Sequence, residues 1–178
     1  LLIERGHDHV AKAEAAGAVR GLALAGGAEQ SALAEEGAIP VLVKLLASRN
    51  PRCLSNAAGA LAALCAGHSS NQDAVTAAGA VQLLVSLLSD QAKSGVSGDD
   101  GDDEVSQLLS TDTGGGGAVG GRAVGGTGSL ADEAMQEAWE LVKTNACAAL
   151  SELSRGHHAN QTVVASTSVI GSLIKILK

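Results

Sequence analysis

The apolar residues of this chain follow the period of a helix, and the same arrangement returns along the chain. Between residues 52 and 65, Ala57, Leu61 and Leu64 are spaced i, i+4 and i+7, which places them on one helical face. The same spacing occurs once earlier and once later, at Ala15, Val19 and Leu22 and at Ala146, Leu150 and Leu153. The pattern therefore predicts one long helix in three copies, over residues 10–25, 52–65 and 130–153.

Shorter apolar runs lie between the long helices. Leu42–Leu46 returns as Leu84–Leu88, and a similar run begins at Ile170. Pro40 suits the first turn of such a helix, because proline has no amide hydrogen to donate there. The predicted short and medium helices span residues 31–36 and 40–46, then 73–78 and 81–88, then 161–167 and 170–178.

The polar pairs Glu29-Gln30, Asn71-Gln72 and Asn160-Gln161 precede the short helices. A fixed interval of this kind, here about 42 residues between the first two pairs, indicates a repeat architecture. The interval to the third pair is longer, because it contains one more period and an insertion. The chain thus divides into a partial unit, a complete unit, a unit with an insertion at 91–128 and the start of a further unit, with boundaries 1–27, 28–69, 70–159 and 160–178. We expect a fragment whose last unit lacks its long helix, which leaves Leu173, Ile174 and Leu177 partly exposed.

The insertion differs from the units in composition. It holds about half of the 23 glycines and the acidic run 99–104. Such a segment buries too little apolar surface to offset the entropy of ordering, so we expect a disordered Gly/Asp-rich loop that acts as a solvating spacer. Helix resumes at Ser129, which can cap it with Asp132 three residues on. Four hydroxyl residues in the loop are candidate phosphorylation sites: Ser106, Ser110, Thr111 and Thr113.

The amino-acid composition limits which kinds of fold and which binding partners are expected for this chain. The chain has 46% hydrophobic residues but no Tyr or Phe and one Trp, so its core consists of Ala, Leu, Val and Ile, which suits close helix packing. A net charge of -7 argues against unspecific binding to nucleic acid or an anionic membrane. No membrane span and no signal peptide are expected.

The three cysteines lie in helical patterns without a CxxC pair, so we expect buried reduced thiols in a cytoplasmic protein, with the nucleus and the cilium as alternatives.

In register, these motifs resemble the armadillo repeat family. The motifs are the polar pairs, Gly37-Ala38-Ile39-Pro40 with the run 42–46, and Ala57–Leu61 in the long helix. The resemblance implies an all-α, right-handed solenoid of three-helix repeats of about 42 residues. It also implies a concave groove, lined by the third helices, that binds a partner protein or peptide. Family members are mostly eukaryotic interaction scaffolds and not enzymes, so no cofactor, metal or small-molecule substrate is expected. The alternatives are the substrate-recruiting arm of a ubiquitin ligase, and a ciliary or cytoskeletal scaffold.

One departure from the importin-α-type members concerns the third helix. Those members carry Trp, and four residues on Asn, which together clamp a basic peptide. Here the Trp position holds Gly17, Gly59 and Ala148, and the Asn position holds Gly21, Ala63 and Glu152. The resemblance therefore implies a non-importin member with a small, smooth groove floor, suited to an apolar helix or a partner's side chains.

Seven residues are the candidates for contacting a partner. Glu14, Asn56 and Asn145 occupy one repeat position, Arg52 lies one turn before Asn56, Arg20 is expected at the groove edge, and Glu152 takes the family's Asn position. For each of these the alternative is a solvated helix face. Trp139 is either an interface anchor or, as is commoner for a lone Trp at helical spacing, a residue packed on the neighbouring helix.

The sequence matches the known patterns of metal-binding and nucleotide-binding motifs only weakly. His7-Asp8-His9 and His157-His158 have no recognised ligand spacing, and solvated turns are the expected role of both groups. The Gly115–Gly120 match to a dinucleotide fingerprint follows no strand, and Gly116–Arg122 lacks the Lys-Ser/Thr of a P-loop. Gly101 is misplaced for a calcium-binding loop of the EF-hand type.

Overall fold

All regular secondary structure in the described residues is helical. The structure, a computed structural model, describes residues 3–89, 127–166 and 168–178, with side chains at 8–89, 132–166 and 168–178. The helices are α1 (Ile3–Ala23), α2 (Gly27–Glu35), α3 (Ala38–Leu45), α4 (Pro51–Cys65), α5 (Ser69–Ala77), α6 (Ala80–Leu87), α7 (Thr127–Ser154), α8 (His158–Ser166) and α9 (Val169–Ile176).

The helices repeat in an order of two short helices, of 9 and 8 residues, and one long helix, so the predicted difference between a short first and a medium second helix is wrong. The sets α2-α3-α4 and α5-α6-α7 follow this order, α1 is a long third helix, and α8 and α9 are a first and a second helix. The predicted all-α class and its three-helix units are confirmed. Each first helix begins before its predicted start, at Gly27, Ser69 and His158. The reason is that these first turns are polar, so a search for apolar spacing passes over them.

Two predictions about the insertion have different outcomes. Helix α7 begins at Thr127, so Gly128 belongs to it and Ser129 lies in its first turn instead of preceding it. The predicted capping by Ser129 is therefore wrong, because the helix starts earlier, a common error at helix ends. The predictions of disorder, of a spacer role for the acidic run and of phosphorylation fall on residues 90–126, outside the described residues.

The core lies between the third helices and the short ones. Helix α4 packs between α1 and α7. Leu61, Leu64, Leu84 and Leu153 are fully buried there, each at 0% exposure. Burying a leucine of this kind stabilises the fold by about 1.5–3 kcal/mol. No helix in the described part of the chain is both long and apolar enough to cross a membrane.

A glycine in the left-handed conformation joins the first helix to the second in both complete sets. Gly37 and Gly79 each have φ of 80°. A side chain is disfavoured at this angle, and glycine lets the chain reverse direction directly after the first helix. The corresponding residue before α9 is Ser168, with φ of -70°.

Two buried glutamines bind the first helix of a set to its third helix, a contact termed here the glutamine clasp. In each, the side-chain amide nitrogen donates to two backbone carbonyl oxygens near the end of the third helix, where a carbonyl oxygen lacks the backbone N–H that a continuing helix would supply four residues on. The bonds run from Gln30 to Ala63 (2.7 Å) and Ala66 (3.2 Å), and from Gln72 to Glu152 (2.7 Å) and Arg155 (3.2 Å). The polar pairs of the sequence thus have a structural role.

A histidine caps each of the later first helices and reaches back to the preceding one. His68 Nδ1 accepts the backbone N–H of Asn71 at 3.3 Å, and its Nε2 lies 2.9 Å from Ser31 Oγ. His157 occupies the equivalent position and is half-buried. The expectation of a solvated turn is therefore wrong for His157, because the residue caps α8 and contacts α5.

Candidate functional site

The exposed side of the third helices α1, α4 and α7 is the candidate site, and is termed here the third-helix surface. These helices carry the residues that the sequence places at the Trp and Asn positions of the family. At the first of these, Gly17 is half-buried, Gly59 is buried and Ala148 is exposed. Small residues thus occupy this position on all three helices, and a smooth groove floor stays a prediction.

Arg20 covers part of this surface. A methyl group added at Gly59 would lie 3.1 Å from Arg20 Cδ, Nε and Cζ, so the arginine side chain extends from α1 across α4. The absence of a side chain at Gly59 leaves room for this arginine, and its position at a groove edge stays a prediction. Its guanidinium has no ion pair among the described residues.

Arg52 and Glu14 form an ion pair between α4 and α1. Arg52 Nη2 contacts Glu14 Oε1, and both side chains are more than half exposed. Exposed pairs of this kind contribute little to stability, because water screens them. Both side chains are therefore accessible to a partner at little cost to the fold.

Asn56 and Asn145 share a repeat position and a structural role. Asn56 Nδ2 donates to the Ala13 carbonyl oxygen of α1 at 2.7 Å. Asn145 Nδ2 donates to the carbonyl oxygen of Ser55 on α4 at 3.1 Å and to its Oγ at 2.8 Å. Each asparagine thus binds the preceding third helix, and Asn145 is buried, so a partner could reach it only by breaking these bonds.

Glu152 and Trp139 both belong to α7 but differ in their surroundings. Glu152 Oε1 accepts from Arg155 Nη2 at 2.8 Å, just after the end of α7. Trp139 is 4% exposed and belongs to the apolar core. Its side chain packs inside the molecule and is not displayed on the third-helix surface. The structure therefore pairs Arg52 with Glu14, places Arg20 against Gly59, and bonds Asn56 and Asn145 each to the preceding third helix.

A row of exposed residues was missed by the sequence reasoning. Val10 and Leu141 occupy the repeat position of Arg52 on α1 and α7 and are 52% and 54% exposed. Because an apolar residue at helical spacing is usually buried, the sequence pattern did not identify either residue as exposed. The signal that could have found them is the repeat itself, since Arg52 at the same position is incompatible with an apolar core.

The thiols are protected from solvent. All three cysteines are free; Cys53 and Cys65 are buried and Cys147 is half-buried, close to expectation. Burial raises the pKa of Cys65 to about 12, with a smaller effect of the Glu152 charge, and burial also raises the pKa of Cys53 and Cys147. Such thiols are weak nucleophiles.

In the part of the chain that the structure describes, no three His, Cys, Asp or Glu residues form a group that could hold a metal.

Comparison with known proteins gives one family and two solved structures. Residues 30–66 match the family model described as Armadillo/beta-catenin-like repeat, which confirms the resemblance for that part of the chain. An engineered protein, a target of the Northeast Structural Genomics Consortium, is 22% identical over 93% of this chain, with a TM-score of 0.44. The chain spans only 39% of that protein's length. A designed armadillo repeat protein is 23% identical over 93% of this chain and 68% of its own, with a TM-score of 0.44. No curated protein matches the chain.

Proposed function

We propose, on the premise that residues 30–66 are an armadillo repeat whose helices recur on both sides of it, that this chain is a protein-interaction scaffold. It binds a partner protein or peptide along its third-helix surface. The armadillo fold generally serves as a protein-binding scaffold and is typically not enzymatic.

The observation that carries the proposal is the row formed by Val10, Arg52 and Leu141. All three side chains are more than half exposed, and two of them are large and apolar. Exposed apolar side chains beside an arginine are typical of surfaces that proteins bind. The row crosses α1, α4 and α7, so one extended partner can contact all three helices.

The amides of Asn56 and Asn145 distinguish this surface from one that clamps a peptide backbone. Their N–H groups already donate to the neighbouring helix. This favours a partner that is recognised through its side chains, by contacts with Val10, Leu141 and the charged groups.

The test is affinity capture from a eukaryotic lysate with quantitative mass spectrometry. A surface variant, Val10→Asp with Arg52→Glu and Leu141→Asp, leaves the asparagine bonds intact. The control variant is Val163→Asp, an exposed residue of α8 outside the third-helix surface. We expect partners of the natural chain to be lost with the surface variant and retained with the control.

Equal helical circular dichroism of all three proteins ensures that folding is not the cause of a loss. Partners retained equally by the surface variant would contradict the proposal and place binding on another surface. A partner that is found should then bind the purified chain, with the same ranking of the variants in a titration.

A further inference from the structure

Arg20 carries a positive charge that no described residue neutralises. Among the described side chains of α1 and α4, Asp8 pairs with Lys12 and Glu14 pairs with Arg52. The side chain of Arg20 forms no ion pair and no hydrogen bond with any described residue. The described side chains of these two helices thus carry one uncompensated positive charge, although the whole chain has a net charge of -7.

The contact with Gly59 places this charge between two third helices. Cδ, Nε and Cζ of Arg20 are the atoms nearest to the missing side chain of Gly59, so the terminal NH2 groups of the guanidinium lie beyond them. Gly59 is buried in α4, whereas Arg20 is exposed. The guanidinium is therefore part of the third-helix surface, and its N–H groups are accessible to a partner.

The chemistry of an accessible guanidinium favours a carboxylate. Its N–H groups form a planar fork that matches the two oxygens of a carboxylate. A partner that covers these donors has to supply acceptors, because a buried charged donor without an acceptor is costly. A phosphate group carries a charge of about -1.5 to -2, which exceeds the single positive charge of this site. The site therefore fits the side chain of an aspartate or glutamate better than a phosphorylated residue.

We infer that the third-helix surface binds a short segment of a partner protein that carries an aspartate or glutamate, and that this carboxylate binds Arg20. The inference rests on the proposed function and adds the chemistry of the partner to it. Gly59 follows Arg52 by seven residues on the same helix, which is about 10 Å. A helix with its side chains is about 10–12 Å wide. One helical segment that crosses the row of Val10, Arg52 and Leu141 can therefore also reach Arg20.

Selection from a library of displayed random peptides tests the inference. Peptides of about 16 residues are about 24 Å long as helices, enough to cross α1, α4 and α7 at the usual spacing of about 8–10 Å. Peptides selected on the natural chain should share an Asp or Glu at one aligned position. Selection on Arg20→Glu should enrich Lys or Arg at that position instead. The matched control is Lys44→Glu, which changes the net charge equally at an exposed residue of α3 and should select the same peptides as the natural chain.

Titration of the purified chain with one selected peptide measures the contact. Arg20→Gln in the chain should weaken binding by about tenfold, and so should Gln in place of the acidic residue of the peptide. The two changes together should weaken binding no further, because both remove the same bond. Equal circular dichroism of the natural chain and the variant excludes unfolding as the cause. Independent, additive losses would show that the two groups do not contact each other and would overturn the inference.

Failure of this inference is distinguishable from failure of the proposed function. If the surface variant of Val10, Arg52 and Leu141 loses the selected peptides but these show no acidic preference, or are also selected on Arg20→Glu, the inference alone is overturned. Peptides retained by the surface variant would contradict the proposed function and the inference with it. An empty selection would overturn the inference, which requires that a short acidic segment is sufficient for binding. Phosphoserine that binds more than about tenfold tighter than Glu at the shared position would replace the carboxylate by a phosphate.

Discussion

His157 lies between two first helices and bonds to both. Its Nε2 is 3.0 Å from Asp73 Oδ1 on α5, and its Nδ1 accepts the backbone N–H of Asn160 at 3.3 Å, which caps α8. Since a backbone N–H only donates, Nδ1 carries no hydrogen and Nε2 donates to the carboxylate. One side chain thus begins a helix and joins it to the preceding set.

The cap gives a first prediction. His157→Ala loses both bonds and should lower the free energy of unfolding by about 1 kcal/mol, the usual effect of removing a capping side chain. His157→Asn keeps an oxygen for the cap and loses only the contact with Asp73, so it should lose less. Urea unfolding of the two variants measures the difference. Equal losses would show that capping by this residue contributes nothing.

The glutamine clasp gives a second prediction. Gln72→Ala removes two part-buried bonds, which leaves the carbonyl oxygen of Glu152 with only the 3.3 Å bond from the Arg155 backbone N–H and takes the glutamine bond from the carbonyl oxygen of Arg155, so it should cost about 1–3 kcal/mol. Gln161→Ala is the matched control, because that side chain is exposed and bonds once to Ser154. It should change stability by no more than about 0.5 kcal/mol. Urea unfolding at low protein concentration checks both, and a similar loss in the two variants would argue against the clasp.

A third prediction contrasts two glycines. Gly59 lies inside α4 and faces only the flexible side chain of Arg20, so Gly59→Ala should stabilise the helix by about 0.5–1 kcal/mol. Gly37 has φ of 80°, so Gly37→Ala should destabilise the fold by about 1–2 kcal/mol. Thermal unfolding of the two variants should show shifts of opposite sign. Destabilisation by Gly59→Ala would mean that Arg20 is held rigidly in place.

The fourth prediction concerns alkaline pH. Burial raises the pKa of Cys65 from its ordinary value of 9.0 to about 12, so the folded protein holds this proton more tightly than the unfolded chain. The stability from this group is complete below pH 9 and is lost as the pH rises towards 12, with a slope of up to about 1.4 kcal/mol per pH unit. Unfolding by urea between pH 8 and 11 measures the slope. Cys65→Ala should show a shallower one, and an unchanged slope would assign the loss to other groups.

The apolar pattern was sufficient to predict the helices and their order, since the spacing of residues such as Leu61 and Leu64 follows directly from the requirement for a buried face. It did not predict the polar contacts. Gln30 and Gln72 are buried because each binds a carbonyl oxygen of a helix that comes much later in the chain, on Ala63 and Glu152 respectively. No local pattern contains that information.

In the candidate site, too, the sequence predicted some features and left others open. Arg52 and Glu14 were placed by their repeat position, and the structure shows them in contact. The path of Arg20 depends on the missing side chain of Gly59, on another helix, and the burial of Asn145 depends on Ser55. Side-chain paths between helices are set by packing in three dimensions, so the sequence alone leaves them open.

The acceptors of the glutamine clasp have a consequence for the evolution of such a protein. Ala63 and Ala66 accept the same bonds as Glu152 and Arg155, although the side chains have nothing in common, because only backbone oxygens take part. The clasp requires only the backbone carbonyl oxygens at the end of a helix, so it does not depend on the side chains that the helix exposes. Mutations that change what the third helices present to a partner can therefore accumulate while the stack keeps its register, so recognition and architecture can vary separately within one chain.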